Sequence, residues 1–582
     1  MTAGVGAIPD WMRATVRFRR VALPLGRTIR AGLCVGLPVV LGFALDHVIV
    51  GVTIGLAAVL RTIGEHPGPH RANVRSLLVA TPIAGCGYLF GVVQGWPLVP
   101  LVALTAVTAF VAGTLAIHGP AFALGGMQFL LVSSLALGLP DTGTAEEIGW
   151  YLVGAAIYLV AMAVDFFLIE PRRPERVALA DLDVAVRAVQ EEPGPVQRSA
   201  ANATLAAARR VPSPGWSASA PGIARWGAYA DVVAAADDLV AWEGANQGPD
   251  AERRQAYAEA RTAWTEGRPS ARTPEPVVVE PRAPWQERFV PDDATLRHAS
   301  RLALCFALAV STRAWVGLDH WYWVPATVGL VMQPDFGSVF GRATLRVVGT
   351  VAGSALAALL LWLVPEGVAL GVVIALAAAT IPWAKETSYV LQSVSLATVI
   401  LMMVTQIAPA EGPLGLPAQR ALATAVGGAI VLVFGYLIWP RARRVAIAPA
   451  VGAATAAIAS LLRTASAPVP TEPAARADRK ATAIDARQRA LDLLAGTAVP
   501  LGRAAAEPPP ASTDAVAWSD AVHSIEHLAS TVSDHAIARL ADAPPIPDAA
   551  AVADDIEHLA DPEDPVATAS RAAGLVARIS LA

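Results

Sequence analysis

Apolar residues fall along this chain in twelve runs, gathered into two sets of six, and each set is followed by a long Ala-rich stretch carrying much more charge. The first set runs approximately Ile29 to Leu45, Val48 to Leu60, Leu77 to Val93, Leu98 to Ile117, Ala121 to Leu139 and Ile148 to Ile169. The second runs approximately Ala299 to Val316, Trp321 to Gln333, Leu345 to Val364, Val368 to Trp383, Tyr389 to Ile407 and Ala421 to Ile438. A bilayer core about 30 Å thick takes roughly 20 apolar residues per helix, so each run reads as one span. The second run of each set is short for a crossing, which suggests ends that are amphipathic or line water.

The two sets repeat one another in order and in detail. Thr53-Ile54-Gly55-Leu56 answers Thr327-Val328-Gly329-Leu330, and Arg71-Ala72-Asn73-Val74-Arg75 answers Arg342-Ala343-Thr344-Leu345-Arg346. Each set closes alike, with Phe167 to Arg173 in the first and Tyr436 to Arg444 in the second. Tandem duplication of one membrane unit explains this better than chance.

Composition agrees with burial in lipid. The chain has 582 residues, 54% of them hydrophobic and 16% charged, and a mean hydropathy of +0.49; an ordinary soluble domain is about 25% charged. A formal net charge of −4 gives no basic footprint for nucleic acid. Cys34, Cys86 and Cys305 lie inside apolar runs without metal-ligand spacing, so neither a disulfide nor a metal centre is expected.

Arginine placement sets an orientation. The N-terminal arm, the loop Arg61 to Arg75, Arg172-Arg173-Arg176, Arg342 with Arg346, Lys385, and Arg441 to Arg444 would all face the cytoplasm, whereas Asp141, Glu146, Glu147, Glu366 and Glu411 lie in the opposite loops. Arg313 and Arg420 break this pattern at the outer ends of their spans. The expected fold is an all-α polytopic membrane protein of two parallel six-helix transmembrane repeats, about twelve spans, with both termini in the cytoplasm. Its parts are a first unit over 1–170, a cytoplasmic helical domain with a Pro-rich linker over 171–297, a second unit over 298–440 and a C-terminal cytoplasmic helical domain over 441–582.

Arginines at helix ends commonly anchor topology by snorkelling to headgroups. Arg342 and Arg346 stand four apart, hence on one helical face, and with Arg71 and Arg75 they could line a cationic vestibule. Fixed guanidinium groups suit carboxylates because they offer bidentate donors and stay charged. Trp321, Tyr322 and Trp323 read as an interfacial aromatic belt, yet three neighbouring aromatics cannot all face lipid. With His320 and Arg313 they could stack a planar acid and attract its carboxylate at an outer exit. Asp165, Asp335 and Glu386, beside Lys385, lie near the membrane ends of their spans and are candidates for coupling proton entry to export. His523-Ser524-Ile525-Glu526-His527 has the form of an inverted zinc-peptidase motif, but its Ala-rich setting and the echo at Ile556 to Ala560 favour a helical packing motif.

With twelve spans in two parallel units, a helical segment after each, and Trp-Tyr-Trp-x-Pro leading to Arg-x-x-Gly-Thr-x-x-Gly, the chain resembles the fusaric-acid-resistance (FUSC) or aromatic acid exporter family. His320, Trp321, Tyr322, Trp323, Pro325, Pro334, Arg342, Arg346, Gly349, Thr350 and Gly353 carry the resemblance. The first unit departs from it, with Val48-Ile49-Val50 in place of the aromatic cluster and Ala80-Thr81-Pro82 where Gly-Thr would stand. The resemblance implies efflux of aromatic or related carboxylates across the inner membrane, a homodimer, and kinship with plant organic-anion channels. It implies no cofactor.

Three functions compete: an efflux transporter of organic anions driven by membrane potential and proton antiport, a gated organic-anion channel, and a membrane scaffold recruiting envelope-assembly partners. Enzymatic activity is not expected, since no nucleophile with its base and no phosphate-cradling Gly loop occurs at a usable spacing.

Overall fold

The computed structural model describes residues 18, 21, 23–66, 70–138, 145–168, 173–191, 201–202, 204–205, 207–209, 220–244, 250–268, 293–332, 339–408, 415–438, 447–468, 472–505, 507, 509, 511–540 and 544–580. All regular structure among them is helical. The chain divides into two compact units. The first comprises Met1–Pro171, Pro281–Arg443 and Ala506–Pro508; the second comprises Arg172–Glu280, Arg444–Ala505 and Pro509–Ala582.

Thirteen helices of the first unit matter for function. They are α1 (Leu25–Ala44), α2 (Val48–Gly64), α3 (His70–Gly85), α4 (Leu98–Thr114), α5 (Pro120–Ala136), α6 (Ala145–Leu168), α7 (Asp293–Ser311), α8 (Trp323–Val331), α9 (Val339–Leu363), α10 (Val368–Ala379), α11 (Ile381–Thr387), α12 (Tyr389–Val404) and α13 (Gly415–Ile430). α3 continues as a 3-10 helix over Cys86–Val93, and α13 as a π-helix over Val431–Leu437. Among the described residues, eight helical stretches are long and apolar enough to cross a membrane, and Val48–Gly64, Pro120–Ala136 and Tyr389–Val404 are shorter apolar helices. Seven of the eight coincide with runs read from the sequence. The eighth, Ile447–Ser466, belongs to the second unit and was expected in a soluble domain.

Helices that are apolar all round must be enclosed all round. α2 is such a helix, buried from Gly51 through Gly64. α8 is another, with every residue from Trp323 to Val331 buried. Its 9 residues rise only about 14 Å, less than half a bilayer core. α8 is therefore a half-helix that ends inside the protein. α9 packs tightly on α12, because a side chain at Gly349 or Gly353 would place its Cβ 2.5 Å from Ser393 Cβ or from the Val394 carbonyl. Large apolar side chains face outward at helical spacing, as with Leu33, Leu37 and Leu41 on α1 and Val368, Val372 and Leu376 on α10. Such stripes suit contact with lipid tails. The chain is a multi-pass membrane protein.

The second unit buries two apolar clusters. Val451, Ile458 and Leu462 of Ile447–Ser466 pack with Trp518, Ile525 and Leu528 of the helix Ala511–Leu540. That contact absorbs the apolar face which makes Ile447–Ser466 look like a span. Leu179, Leu182, Val232, Leu239 and Trp264 form the other cluster. Asp237, 6% exposed, receives a hydrogen bond from Arg487 at 2.8 Å and pairs with Arg209 at 2.8 Å. Burial pushes its carboxyl up, but the two guanidinium groups outweigh burial and hold it below the usual carboxylate range.

Candidate functional site

Among the described residues of the first unit, two largely enclosed charged regions differ in whether the charges are answered. The first gathers α1, α2, α6 and α11. Arg30 donates to Glu65, just past α2, and to Asp165 on α6; Tyr158 donates to Glu65 at 2.6 Å. Arg27 pairs with Glu386, and Lys385 donates to the carbonyls of Ile63 and of Glu65, the latter at 2.8 Å. Three cations thus meet three carboxylates, and Lys385 also caps the C-terminal carbonyls of α2, where the helix dipole favours a cation. Nearby, Arg61 donates to Thr81, Gln128 and Tyr151 and so ties α2 to α3, α5 and α6 through neutral oxygens.

The second region lies among α8, α9 and α13. On α9, Arg342, Arg346, Thr350 and Ser354 follow at intervals of four and form one slowly winding stripe. All four are buried. Arg342 donates from Nε to the Val331 carbonyl at 3.0 Å and caps the C-terminal end of α8. One turn further, Arg346 is 2% exposed. Its Nε and Nη2, with Thr350 Oγ1 and Ser354 Oγ, have no hydrogen-bond partner. From α13, Arg420 lies 4.1 Å above the centroid of the Trp323 ring with Nη1 unpartnered, close enough to Arg346 for the two charges to repel. The Tyr322 hydroxyl and Trp323 Nε1 are likewise buried without a partner. Among the described residues, no carboxylate pairs with Arg346 or Arg420.

Burying an unpaired guanidinium costs several kcal/mol. Two of them stand here, with unpartnered hydroxyl and indole groups on the same helices. Each of these groups can donate a hydrogen bond, and the two guanidinium groups only donate, a set that suits an oxyanion. The corresponding face of α3 does not build this chemistry, since Arg75 is exposed and Val79 and Ile83 stand where α9 has Thr350 and Ser354.

Residues 303–434 match the fusaric acid resistance protein-like family. This FUSC-like segment holds the whole α8, α9 and α13 cluster, whereas Arg30, Glu65 and Asp165 fall before it. The chain is also 28% identical over 158 residues to the Escherichia coli (strain K12) inner membrane protein YccS, an alignment covering 26% of this chain and 21% of that protein. The chain thus spans about a fifth of the length of that relative. No solved structure matches.

The structure distributes the residues proposed from the sequence over several separate places. Arg346, Tyr322 and Trp323 fall in the FUSC-like cluster around Arg420, with Arg342 at the opposite, C-terminal end of α8. At the end of α13, the His320 backbone amide and Nδ1 contact Gln419 Oε1 at 3.3 and 2.8 Å, and Gln419 donates to Asp319 at 3.2 Å. Exposed Arg313 donates to the Gln94 carbonyl at 2.9 Å and lies 5.6 Å from the Trp321 ring centroid. Asp165 and Glu386 belong to the compensated network, held by Arg30 and Arg27. Asp335 and the side chain of Arg71 lie outside the described residues. Sequence reasoning assigned no role to Arg420, Thr350 or Ser354. An arginine within an apolar run was the signal for Arg420, and the four-residue spacing from Arg346 was the signal for the other two.

Proposed function

We propose that this protein exports aromatic or related organic carboxylates across the inner membrane. The observation that carries this reading is the pair of buried guanidinium groups, Arg346 and Arg420, unanswered by any carboxylate among the described residues and walled by Tyr322 and Trp323. The FUSC-like segment and the name of the aligned relative, an inner membrane protein, support both the activity and the location. In this reading the twelve helical runs form two parallel six-helix repeats, the second unit lies in the cytoplasm with both termini, and two copies associate. The membrane potential supplies the drive, since one negative charge leaving an inside-negative cell gains about 2.3 kcal/mol per 100 mV. Proton antiport adds to it through the Arg30-Asp165 and Arg27-Glu386 pairs, which must open to accept a proton.

Efflux of radiolabelled benzoate from loaded proteoliposomes, with voltage set by a potassium gradient, tests the proposal. Voltage-dependent efflux that Arg346→Gln suppresses is the expected result; absence of flux at any voltage refutes it. A pH gradient imposed at zero voltage drives uphill export through a proton-coupled exporter and none through an anion channel.

A further inference from the structure

From the charge count of the α8, α9 and α13 cluster, we infer that its preferred substrate is an organic dianion. The inference rests on the exporter reading and narrows it. Arg346 and Arg420 place two fixed positive charges on two facing helices, and among the described residues neither has an anionic partner. Arg342 is set apart, since its Nε caps α8. A monocarboxylate entering the cluster leaves one buried guanidinium unanswered; a dianion answers both. The remaining groups agree with this count. Thr350, Ser354, Tyr322 and Trp323 contribute three hydroxyls and one indole N–H, so one bound species meets several donors and needs several acceptor oxygens.

The unpartnered atoms are enclosed, and the Trp323 ring already has Arg420 over one face at 4.1 Å. Two carboxylates on one frame, aromatic or aliphatic, answer the pair of guanidinium groups more fully than a single carboxylate does. The network around Arg30 offers no comparable site, because each of its cations has a partner within the protein.

The test is a competition in proteoliposomes of the full chain, loaded equally with benzoate, phthalate and succinate at a pH where every carboxyl is ionised. Export of phthalate or succinate should exceed that of benzoate by about tenfold or more, the gain expected from one further charge-assisted hydrogen bond. The current should carry at least two charges per dianion exported, with one more for each proton antiported. Arg420→Gln should lower the dianion-to-benzoate ratio by a similar factor. A ratio within one vesicle preparation does not depend on how much protein folds, and the wild-type ratio stands by itself if the variant is lost. Benzoate exported as well as either dianion overturns the inference and leaves the exporter reading intact. Export of none of the three overturns both.

Discussion

Replacing Arg346 by methionine should remove transport while leaving the fold as stable as before or more so, the reverse of what the same change does at Arg30. Both guanidinium groups are buried, but their surroundings differ. Arg30 holds Glu65 and Asp165, so Arg30→Met leaves buried Glu65 and partly buried Asp165 without their cation, and removing one partner of a buried pair typically costs about 3–5 kcal/mol. Arg346 has Nε and Nη2 unpartnered and no ion pair among the described residues, so Arg346→Met removes a desolvation penalty and is neutral or stabilising by up to about 4 kcal/mol. Transport responds oppositely, because each charge-assisted hydrogen bond to the substrate is worth about 1.5–3 kcal/mol, which amounts to roughly a 10- to 100-fold loss of efflux per folded molecule. Thermal unfolding of the purified protein in detergent reads stability, and efflux normalised to folded protein reads transport. An Arg346→Met protein that is destabilised like Arg30→Met yet exports at the wild-type rate would refute the reasoning.

Three further outcomes are expected. At Gly138, a Cβ would lie 1.7 Å from Tyr322 Cδ1, so Gly138→Leu displaces the ring, costs about 1–3 kcal/mol and reduces efflux; an unchanged unfolding midpoint with full efflux would contradict this. Gly353→Leu drives a side chain into the Val394 carbonyl and should abolish the folded, monodisperse protein seen by size-exclusion chromatography. In the second unit, Asp237 has its pKa lowered in the fold, so its contribution is complete above the ordinary carboxylate value of about 3.9 and is lost as pH falls through the folded value. Unfolding midpoints of the full chain measured down to pH 3 should fall steeply for wild type, and Asp237→Asn should be both less stable at pH 7 and flatter in its acid response.

Much of the helical layout could be read from the sequence, because lipid burial imposes long apolar runs and breaks between them are marked by Gly, Pro and charge. Length was harder to read for α8, where the apolar run from Trp321 continues past the point at which the helix stops at Val331. Ile447–Ser466 shows the opposite ambiguity, since an Ala-rich helix can reach span-like hydropathy and still bury its apolar face against another helix. The FUSC-like stripe was half legible. Arg342 and Arg346 stood out by charge, whereas Thr350 and Ser354 look like ordinary small packing residues until burial leaves their hydroxyls unpartnered. The compensated network was not legible, because its partners lie 35, 135 and 359 residues apart, in the Arg30–Glu65, Arg30–Asp165 and Arg27–Glu386 pairs. A single sequence shows that Arg30 is basic. It does not show that Arg30 is answered and Arg346 is not, and that difference separates a structural charge from a candidate binding charge.

Equilibrium binding of a radiolabelled aromatic carboxylate to the purified protein tests the central claim most directly, with Arg346 and Arg420 changed to glutamine singly and together. Saturable binding in the wild type that falls in each single variant and vanishes in the double variant, with both proteins folded, is the predicted result. Saturable binding that survives the loss of both guanidinium groups would contradict the account.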